Sequence, residues 1–365
     1  MKIGIIGAGQ LGRMLALAGY PLGINCTFLD HDQHSPGGLV SAIHVGELDN
    51  TNDLKSLAAS VDVITYEFEN ISVEALKDIS PSVPVYPQIT ALATAQDRLK
   101  EKQLFESIGI PTADYVSVKE PADLKSVGKK LGWPVVLKSR RLGYDGRSQQ
   151  VVNSNSSLES AWNTLNHVPA IAESWVDFKR ELSLIGARGA NGEIAFYPLS
   201  ENVHEDGILR TTVAPYEDHI MQDTAKNWLI EIMEKFDYRG VLTVEFFHTE
   251  KGLVANEMAP RVHNSGHWTI EGAETSQFEN HLRAVLGLPL GDTKPRGHAA
   301  MLNFIGSMPN ITNVLKIPGA HLHDYCKGPR LNRKVGHLTL LENDRESILK
   351  RLAYVKATVN QSLAS

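Results

Sequence analysis

Cysteine is scarce in this sequence. Cys26 and Cys326 are its only two cysteines, and they lie near opposite ends of the 365-residue chain. Two cysteines so far apart do not indicate the disulfide framework that stabilises small secreted domains, and they are typical of a protein from a reducing compartment. We therefore expect a cytoplasmic protein.

Long apolar runs and an excess of positive charge are also missing. No apolar run reaches the roughly 18 residues of a membrane span. Apolar residues follow Lys2 as in a signal peptide, but Gln10 and Arg13 interrupt them. The formal net charge is −6, which argues against a protein held to nucleic acid by phosphate contacts. We expect neither a membrane nor a nucleic acid as a partner.

The composition is otherwise that of an ordinary globular protein, with 42% apolar and 21% charged residues. A chain of 365 residues is long enough for two or three domains and a substantial core. No low-complexity segment or short-period repeat is present. Function must therefore be sought in local motifs.

Two apolar runs flank Glu250, Lys251 and Gly252, which predicts a β-hairpin with a three-residue loop. If the turn is centred on Lys251, Glu245 lies directly opposite Glu257. Opposed side chains have Cβ atoms roughly 5 Å apart, where like charges repel, so a cation is expected between the two carboxylates. Mg²⁺ is favoured because it takes oxygen ligands and is often shared with phosphates. The alternative, two glutamates on a solvated face, agrees less well with their apolar neighbours.

A dense cluster of hydrogen-bond donors follows the second glutamate and would suit a small oxyanion beside a metal-bound phosphate. Its members are Arg261, His263, Asn264, Ser265, Gly266, His267 and Trp268. His263 and His267 have the spacing of zinc ligands, but no third ligand has suitable spacing, so zinc is not favoured.

The amino terminus has the pattern G-x-G-x-x-G at residues 7–12, after a predicted strand at residues 2–6. Asp30 ends the next predicted strand, at the spacing of a ribose-binding acid, so a dinucleotide-binding domain is one interpretation. The other is that the glycines only permit tight packing of a strand against a helix. Glu67 and Glu69 follow a third predicted strand, at the sheet edge where such folds bind ligands, and are candidate substrate contacts.

Two basic loops are candidate phosphate sites. The first, residues 139–149, follows a strand that ends at Lys138 and contains glycines and arginines that can surround phosphate groups. It lacks the P-loop pattern, and an exposed basic loop is the alternative. The second, residues 327–337, reads KGPRLNRKVGH and predicts an anion-binding loop or a charged surface loop. Arg98, in the first turn of a helix capped by Asp97, is a further candidate phosphate contact.

Several segments together resemble the 5-(carboxyamino)imidazole ribonucleotide synthase family of the ATP-grasp superfamily. They are YEFEN at residues 66–70, GYDGR at 143–147, HEDGILR at 204–210 and NEMAPRVHNSGHW at 256–268. The resemblance extends from GAGQLGRM near the start to PRLNRKVGH near the end. It implies a mixed α/β and α+β fold: a Rossmann-like parallel-sheet domain at residues 1–95, an ATP-grasp domain at 96–295 and a small β-rich domain at 296–365. Within the ATP-grasp domain, a lid-bearing part is expected at about 110–175 and a metal-binding part at about 176–295.

The resemblance also implies a reaction. ATP phosphorylates bicarbonate to carboxyphosphate, and the amino group of 5-aminoimidazole ribonucleotide (AIR) captures the carboxyl carbon, directly or from released carbon dioxide. The products are 5-carboxyaminoimidazole ribonucleotide, ADP and phosphate, in a carbon–nitrogen ligase step of de novo purine biosynthesis. A homodimer is implied as well.

By the same resemblance, Glu245 and Glu257 hold two Mg²⁺ ions. ATP binding is implied for Arg98, Lys138, Gly143, Tyr144, Asp145, Gly146, Arg147, Ser148, Gln149, Glu173, Ser174, Trp175, Val176, Glu181, His204, Asn256 and Glu257. Binding of bicarbonate and carboxyphosphate is implied for Arg261, His263, Asn264 and Ser265. Binding of AIR is implied for Gln10, Leu11, Glu67, Tyr144, Asp145, Arg147, Lys327, Arg333 and Lys334. Catalytic roles are implied for Tyr144, Asp145 and Lys327 beside the bicarbonate residues, and Asp145 and His263 are the two candidates for the base that removes the amine proton.

The sequence departs from the family pattern at three positions. Ala259 stands where many ATP-grasp enzymes have an asparagine metal ligand, which makes Asn256 the substitute candidate. Ser148 and Cys326 stand where glycines are usual. Three other functions compete: a nicotinamide-dependent oxidoreductase, another ATP-grasp ligase and a nucleotide sensor without catalysis.

Overall fold

A four-stranded parallel sheet forms the amino-terminal part of the computed structural model, which describes residues 1–143 and 148–364. Its elements are β1 (Lys2–Ile6), α1 (Gln10–Gly19), β2 (Asn25–Asp30), β3 (Ala42–Val45), α2 (Thr51–Ala58), β4 (Val63–Tyr66) and α3 (Val73–Ile79). The strand order is β3-β2-β1-β4, and every pair is parallel. β1 and β4 are almost wholly buried, as expected for strands covered by helices on both faces. The predicted Rossmann-like sheet is confirmed.

A small antiparallel sheet comes next in the chain. It is preceded by α4 (Ile89–Ala95) and α5 (Arg98–Ser107), and it contains β5 (Tyr115–Val118), α6 (Pro121–Leu131), β6 (Val135–Ser139), β7 (Gln149–Val152), α7 (Asn155–Thr164) and β8 (Ala170–Ser174). The strand order is β5-β8-β6-β7. Val127 of α6 and Trp162 of α7 pack on the apolar face of this sheet with Val135 and Leu137. The loop between β6 and β7 is the first basic loop, and its residues 144–147 lie outside the described residues.

The largest sheet is antiparallel and contains the predicted hairpin. Its first elements are β9 (Arg180–Arg188), β10 (Ile194–Phe196), β11 (Ser200–Glu205), β12 (Ile208–Ala214), α8 (His219–Lys235), β13 (Gly240–Thr249) and β14 (Gly252–Ala259). After them come α9 (Thr269–Gly272), α10 (Gln277–Leu286), β15 (His298–Ile305), α11 (Ile311–Leu315), β16 (His321–Asp324), β17 (Lys334–Glu342) and α12 (Arg345–Ala364). The strand order is β14-β13-β9-β11-β12-β15-β17-β16, with β10 on β9. The carboxyl-terminal strands therefore extend the same sheet through the β12–β15 pair.

The hairpin of β13 and β14 places Glu245 directly opposite Glu257, as predicted. The predicted three-residue loop is wrong, because Thr249 already pairs with Gly252. A β-bulge between Glu245 and Phe246 restores the register that the shorter loop would have shifted. Since Phe246 pairs with Ala255, the additional residue in β14 is Asn256.

Helix α10 connects the parallel sheet to the hairpin. It packs on α1 and on β13, and Phe278 and Leu282 share one core with Leu15 of α1. His281 adds a buried hydrogen bond of 2.8 Å to Thr65 of β4. The carboxyl edge of the parallel sheet is thereby held next to the hairpin. None of the described helices is both long and apolar enough to span a membrane.

Candidate active site

A cavity of about 590 Å³ lies where the parallel sheet, β14 and the second basic loop meet. The predicted site residues that line it come from segments far apart in the chain. They are Gln10, Leu11, Glu67, Arg98, Gly143, Glu257, Arg261, His263, Asn264, Lys327, Arg333 and Lys334. The fold thus brings the predicted metal, oxyanion and ribonucleotide residues to one place.

Glu245 and Glu257 differ in their electrostatic surroundings. Burial, reinforced by the charge of Glu257 and opposed by His204, raises the pKa of Glu245 to about 7. Burial acts in the same direction on Glu257, but Arg98 outweighs it and lowers the pKa of Glu257. The Arg98 guanidinium lies 3.0 Å from a Glu257 carboxylate oxygen. Glu245 lies 3.6 Å from His263 Nε2, and the charges of His204 and, less strongly, Lys334 act to lower its pKa.

These groups fit a magnesium site. The two opposed carboxylates are the hard oxygen donors that Mg²⁺ prefers. Asn256 Oδ1 is buried and has no hydrogen-bond partner among the described residues. Asn256 is the bulged residue next to Glu257, which makes its amide oxygen the candidate third ligand.

Lys138 and Glu173 form a buried cluster with a lysine that the sequence did not single out. Lys138 Nζ donates to Glu173 Oε2 at 2.8 Å, and Lys102 Nζ lies 3.7 Å from the same oxygen. Burial by itself would raise the pKa of Glu173, but the two ammonium groups outweigh it and lower that pKa to about 2. Lys102 Nζ also donates to the carbonyl of Asn256 at 3.0 Å, which connects this cluster to the bulge.

Glu181 and His204 form a second pair, on β9 and β11. His204 Nδ1 lies 2.8 Å from Glu181 Oε2. Burial acts to lower the pKa of His204, but the hydrogen bond to Glu181 and the charge of Glu245 outweigh it and raise that pKa to about 9. His204 is therefore a cation at neutral pH, on the side of the carboxylate pair.

The predicted oxyanion residues occupy a short turn after β14. Arg261, His263 and Asn264 line the cavity, and Arg261 also lies 3.0 Å from Glu69. Ser265 differs from the prediction, since it is fully buried and contacts His263 Nδ1 at 2.8 Å instead of lining the cavity. Burial, with a smaller effect of Arg261, lowers the pKa of His263 well below its usual value.

The dinucleotide interpretation of the amino terminus is wrong for a physical reason. The backbone N–H groups of Gly9 and Gly12, which would hold a pyrophosphate, both donate to the Glu67 carboxylate at 2.5 Å. Asp30 Oδ2 likewise accepts from the N–H of Ala8 at 2.7 Å. A Cβ atom at Gly12 would meet the carbonyl oxygen of Gly7 at 2.8 Å, so this glycine permits close packing of helix on strand.

Lys327 of the second basic loop crosses the cavity to Gln10, and its Nζ donates to Gln10 Oε1. The neighbouring Cys326 has a φ of +55°, a region that favours glycine. Ser148, at the end of the first basic loop, has a φ of +61°. The usual glycines at both positions are thereby explained.

Some predicted residues lie apart from the cavity. Ser174, Trp175, Val176 and Glu181 lie on or between β8 and β9, His204 lies on β11, and Gln149 pairs with Lys138 in the small sheet. The cavity lining also does not include Lys138, Ser148, Glu173, Glu245 and Asn256. Tyr144, Asp145, Gly146 and Arg147 lie outside the described residues. Further lining residues are Gln96, Glu101, Arg140, Arg141, Arg330 and Asn332. Arg140 and Arg141 belong to the first basic loop, and Arg330 and Asn332 belong to the second. Sequence reasoning missed Gln96 and Glu101, for which no motif gives a signal.

Known protein families cover most of the chain. The ribonucleotide synthetase preATP-grasp domain matches residues 1–96, the ATP-grasp domain 103–278, and the phosphoribosylaminoimidazole carboxylase C-terminal domain 299–351. N5-carboxyaminoimidazole ribonucleotide synthase of Pseudomonas aeruginosa is 47% identical over 98% of this chain and 99% of that protein. The chain belongs to this synthase family. It is therefore an ATP-grasp protein and an ATP-dependent carbon–nitrogen ligase of purine biosynthesis, as the sequence motifs indicate.

Solved structures of the synthase family have the same fold. The crystal structure of N5-carboxyaminoimidazole ribonucleotide synthetase from Thermus thermophilus is 49% identical, with a TM-score of 0.93 and 98% of both chains covered. N5-carboxyaminoimidazole synthase from Aspergillus clavatus, solved with ADP and AIR, is 34% identical, with a TM-score of 0.92 over 99% of this chain and 98% of that one. The predicted fold class is confirmed.

Proposed function

We propose that the protein uses ATP to carboxylate AIR with bicarbonate, giving 5-carboxyaminoimidazole ribonucleotide, ADP and phosphate. The observation that carries this proposal is the cavity at which Glu257, the oxyanion-binding turn and the second basic loop meet, with Glu245 opposite Glu257 on the hairpin. Each group suits one of the three reactants. Phosphoryl transfer needs positioning and charge neutralisation more than covalent help, and these side chains provide both.

Glu245 and Glu257 would hold two Mg²⁺ ions, with Asn256 as the candidate third ligand. When bound, Mg²⁺ neutralises charge on the β- and γ-phosphates of ATP. Arg98 and Lys138 contact phosphates, and their present partners, Glu257 and Glu173, hold the two cations in place before ATP arrives. The further nucleotide contacts are Gly143, residues 144–147, Ser148, Gln149, Ser174, Trp175, Val176, Glu181 and His204.

Glu173 has a different part in this proposal from its neighbours on β8. Its Oε2 is engaged by Lys102 and Lys138 and positions Lys138 for the phosphates, whereas its Oε1 has no hydrogen-bond partner among the described residues. Glu173 Oε1 and the backbone near Val176 would therefore recognise adenine. Glu181, paired with His204, would accept from the ribose.

Arg261, His263 and Asn264 would bind bicarbonate and then carboxyphosphate, because they bring one cation and two polar side chains to one wall of the cavity. Ser265 supports this wall from behind. Gln10, Leu11, Glu67, Lys327, Arg333 and Lys334 would bind AIR, with Arg330 as an additional cation for its phosphate. Carboxyphosphate hydrolyses readily, so the site must exclude water during the reaction.

The proposal includes a location and an assembly. We place the protein in the cytoplasm, as a homodimer that acts on small molecules. Three domains are proposed at residues 1–95, 96–295 and 296–365.

The test is ADP release from ATP, Mg²⁺ and labelled bicarbonate, with and without AIR. We expect release that depends on AIR and label in an acid-labile product. If ADP is released equally well without AIR, the assignment of ATP-grasp chemistry stands but AIR is not the acceptor. No release under any condition would favour a nucleotide sensor, and separate titrations of ATP and NADH would then show which nucleotide binds.

A further inference from the structure

A chain of buried hydrogen bonds runs across strands β12, β11 and β9 of the large sheet to His263. Thr212 Oγ1 donates to Asn202 Oδ1, and Asn202 Nδ2 donates to Ser183 Oγ, each at 2.9 Å. Ser183 Oγ donates to Ser265 Oγ at 2.9 Å, and Ser265 Oγ lies 2.8 Å from His263 Nδ1. The first four residues are at most 3% exposed.

The strand register places this chain of hydrogen bonds beside Glu245, one of the two proposed metal ligands. Asn202 on β11 pairs with Thr212 on β12 and with Glu181 on β9. Ser183, two residues along β9, is the register partner of Glu245 on β13. Side chains at such positions in an otherwise apolar sheet are costly to bury unless each one is hydrogen-bonded.

The hydrogen bonds of this series have a direction, and the backbone N–H of Ser265 shows which way the last one points. The N–H of Ser265 donates to His263 Nδ1 at 3.3 Å, and a backbone N–H can only donate. Nδ1 is therefore an acceptor, for this N–H and for the Ser265 hydroxyl. A ring whose Nδ1 accepts carries its proton on Nε2, the nitrogen that faces Glu245 at 3.6 Å.

We propose that Ser183 and Asn202 are positioning residues that hold His263 as the Nε2–H tautomer, so that His263 acts as a fixed hydrogen-bond donor to bicarbonate and carboxyphosphate. This inference rests on the proposed function for the identity of the acceptor. An Nε2 that already carries a proton does not accept one from the amine of AIR. Of the two candidate bases, Asp145 is therefore retained and His263 is not.

The tautomer is measured first, without substrates, from the ring ¹⁵N shifts of histidine-labelled protein. His263→Gln assigns the signals. We expect a protonated Nε2 and an unprotonated Nδ1 in the unsubstituted protein. A protonated Nδ1 would overturn the proposal, whatever the enzyme's activity. Because this measurement needs no turnover, its failure can be distinguished from a failure of the proposed function.

Ser183→Ala removes the hydroxyl that directs the Ser265 hydroxyl towards His263 and leaves only the longer bond of 3.3 Å from the Ser265 N–H to hold Nδ1 as an acceptor. We expect a mixture of the two tautomers together with a KM for bicarbonate raised about 10-fold or more. The KM for ATP should stay within about twofold. Ser183→Thr, which keeps the hydroxyl, should restore both readouts. Unchanged ¹⁵N shifts and an unchanged KM for bicarbonate in Ser183→Ala would contradict the proposal.

Thr243→Val is the matched control. Thr243 is buried on β13 of the same sheet, and its hydroxyl has no hydrogen-bond partner among the described residues. Its isosteric replacement should leave the tautomer and the KM for bicarbonate unchanged. If Ser183→Ala does not fold, Thr212→Val tests the far end of the chain, and there an unchanged tautomer would also count against the proposal.

Discussion

Glu245 and Glu257 are opposed across β13 and β14 because Asn256 is bulged out between Glu257 and Ala255. Without the bulge, the two-residue loop at Glu250 would set Glu257 out of register with Glu245, and the carboxylates would point to opposite faces of the hairpin. The bulge therefore creates the carboxylate pair.

Glu257→Gln is expected to lower AIR-dependent ADP release by about 100-fold or more, because it removes a charged oxygen ligand and leaves Arg98 without its partner. The protein should remain folded, since glutamine keeps the shape of the side chain. ADP release and the thermal melting curve are the two measurements. Near-normal turnover in this variant would reject the metal assignment.

Glu250→Gln is the matched control for this substitution. Glu250 is in the loop of the same hairpin, and its side chain is 83% exposed, so it has no role in the cavity. We expect unchanged turnover and an unchanged melting temperature, because exposed ion pairs contribute little.

Glu173→Gln tests the buried lysine cluster through the pH dependence of stability. The pKa of Glu173 is lowered from 4.5 to about 2, so its stabilising contribution is present above pH 4.5 and is lost as pH falls towards 2. The full contribution is about 3 kcal/mol. Glu173→Gln should therefore cost about this much free energy of unfolding at pH 7.

The measurement is urea unfolding of both proteins from pH 7 to 3.5. The difference between them should be constant above about pH 5 and then shrink by about 1.4 kcal/mol for each pH unit below 4.5. A difference that does not change with pH would show that Glu173 is not paired as described. Lys179→Met, in the exposed pair with Glu250, is the control and should show no such trend.

Gly9→Ala tests the role of the glycine-rich turn. A Cβ atom at Gly9 would lie 2.5 Å from Glu67 Oε1, so the carboxylate must move. Because Glu67 lines the AIR side of the cavity, we expect the KM for AIR to rise about tenfold, which is about 1.4 kcal/mol of binding free energy. The KM for ATP should not change, and a parallel rise in both constants would indicate general damage to the fold instead.

Local sequence patterns were sufficient for part of this site. The opposed glutamates, the donor-rich turn at residues 261–268 and the basic loops could be predicted because each is a short segment with a period or a motif. The reach of Lys327 to Gln10 could not, since it depends on how the ends of the chain meet. The Glu67 contacts with Gly9 and Gly12 could not be predicted either, because they join parts of the chain that are distant in sequence. The glycine pattern therefore indicated a dinucleotide site.

Strand pairing explains most of what the sequence did not show. Ser183, Asn202 and Thr212 are unremarkable polar residues in the chain, and only the order β9-β11-β12 makes them neighbours. The bulge at Asn256 could not be predicted from the sequence either, because a three-residue loop followed by a regular ladder would pair the same glutamates. Motifs thus identify the groups that we propose to touch substrates, and the residues that orient them become visible only in three dimensions.

Asn303 of β15 orients another residue of the donor-rich turn. Asn303 Nδ2 donates to Asn264 Oδ1 at 2.6 Å and to the carbonyl of Leu209 at 2.9 Å. Asn264 Nδ2 has no partner among the described residues, and Asn264 lines the cavity. The amide N–H groups of Asn264 thus have no partner in the described part of the chain, which agrees with the oxyanion role that we propose for them.

Asn303→Asp should reverse this orientation. A carboxylate at this position cannot donate to Asn264 Oδ1, so the Asn264 amide is expected to turn its NH₂ towards the new carboxylate and its oxygen towards the cavity. We expect the KM for bicarbonate to rise about tenfold or more and the KM for ATP to stay unchanged, because an acceptor would then face the oxyanion. Both constants are obtained from ADP release at varied bicarbonate and varied ATP.

Asn310→Asp is the control for this last substitution. Asn310 caps α11 by accepting from the N–H of Asn313, a role that aspartate fills equally well, so both constants should be unchanged. If Asn303→Asp also left the KM for bicarbonate unchanged in a folded protein, the orientation of Asn264 would not matter for bicarbonate. In that case Asn303→Leu, which removes the donor without adding a charge, should also leave the KM for bicarbonate unchanged. A KM for bicarbonate that rises only in Asn303→Leu would instead indicate lost packing around Asn264.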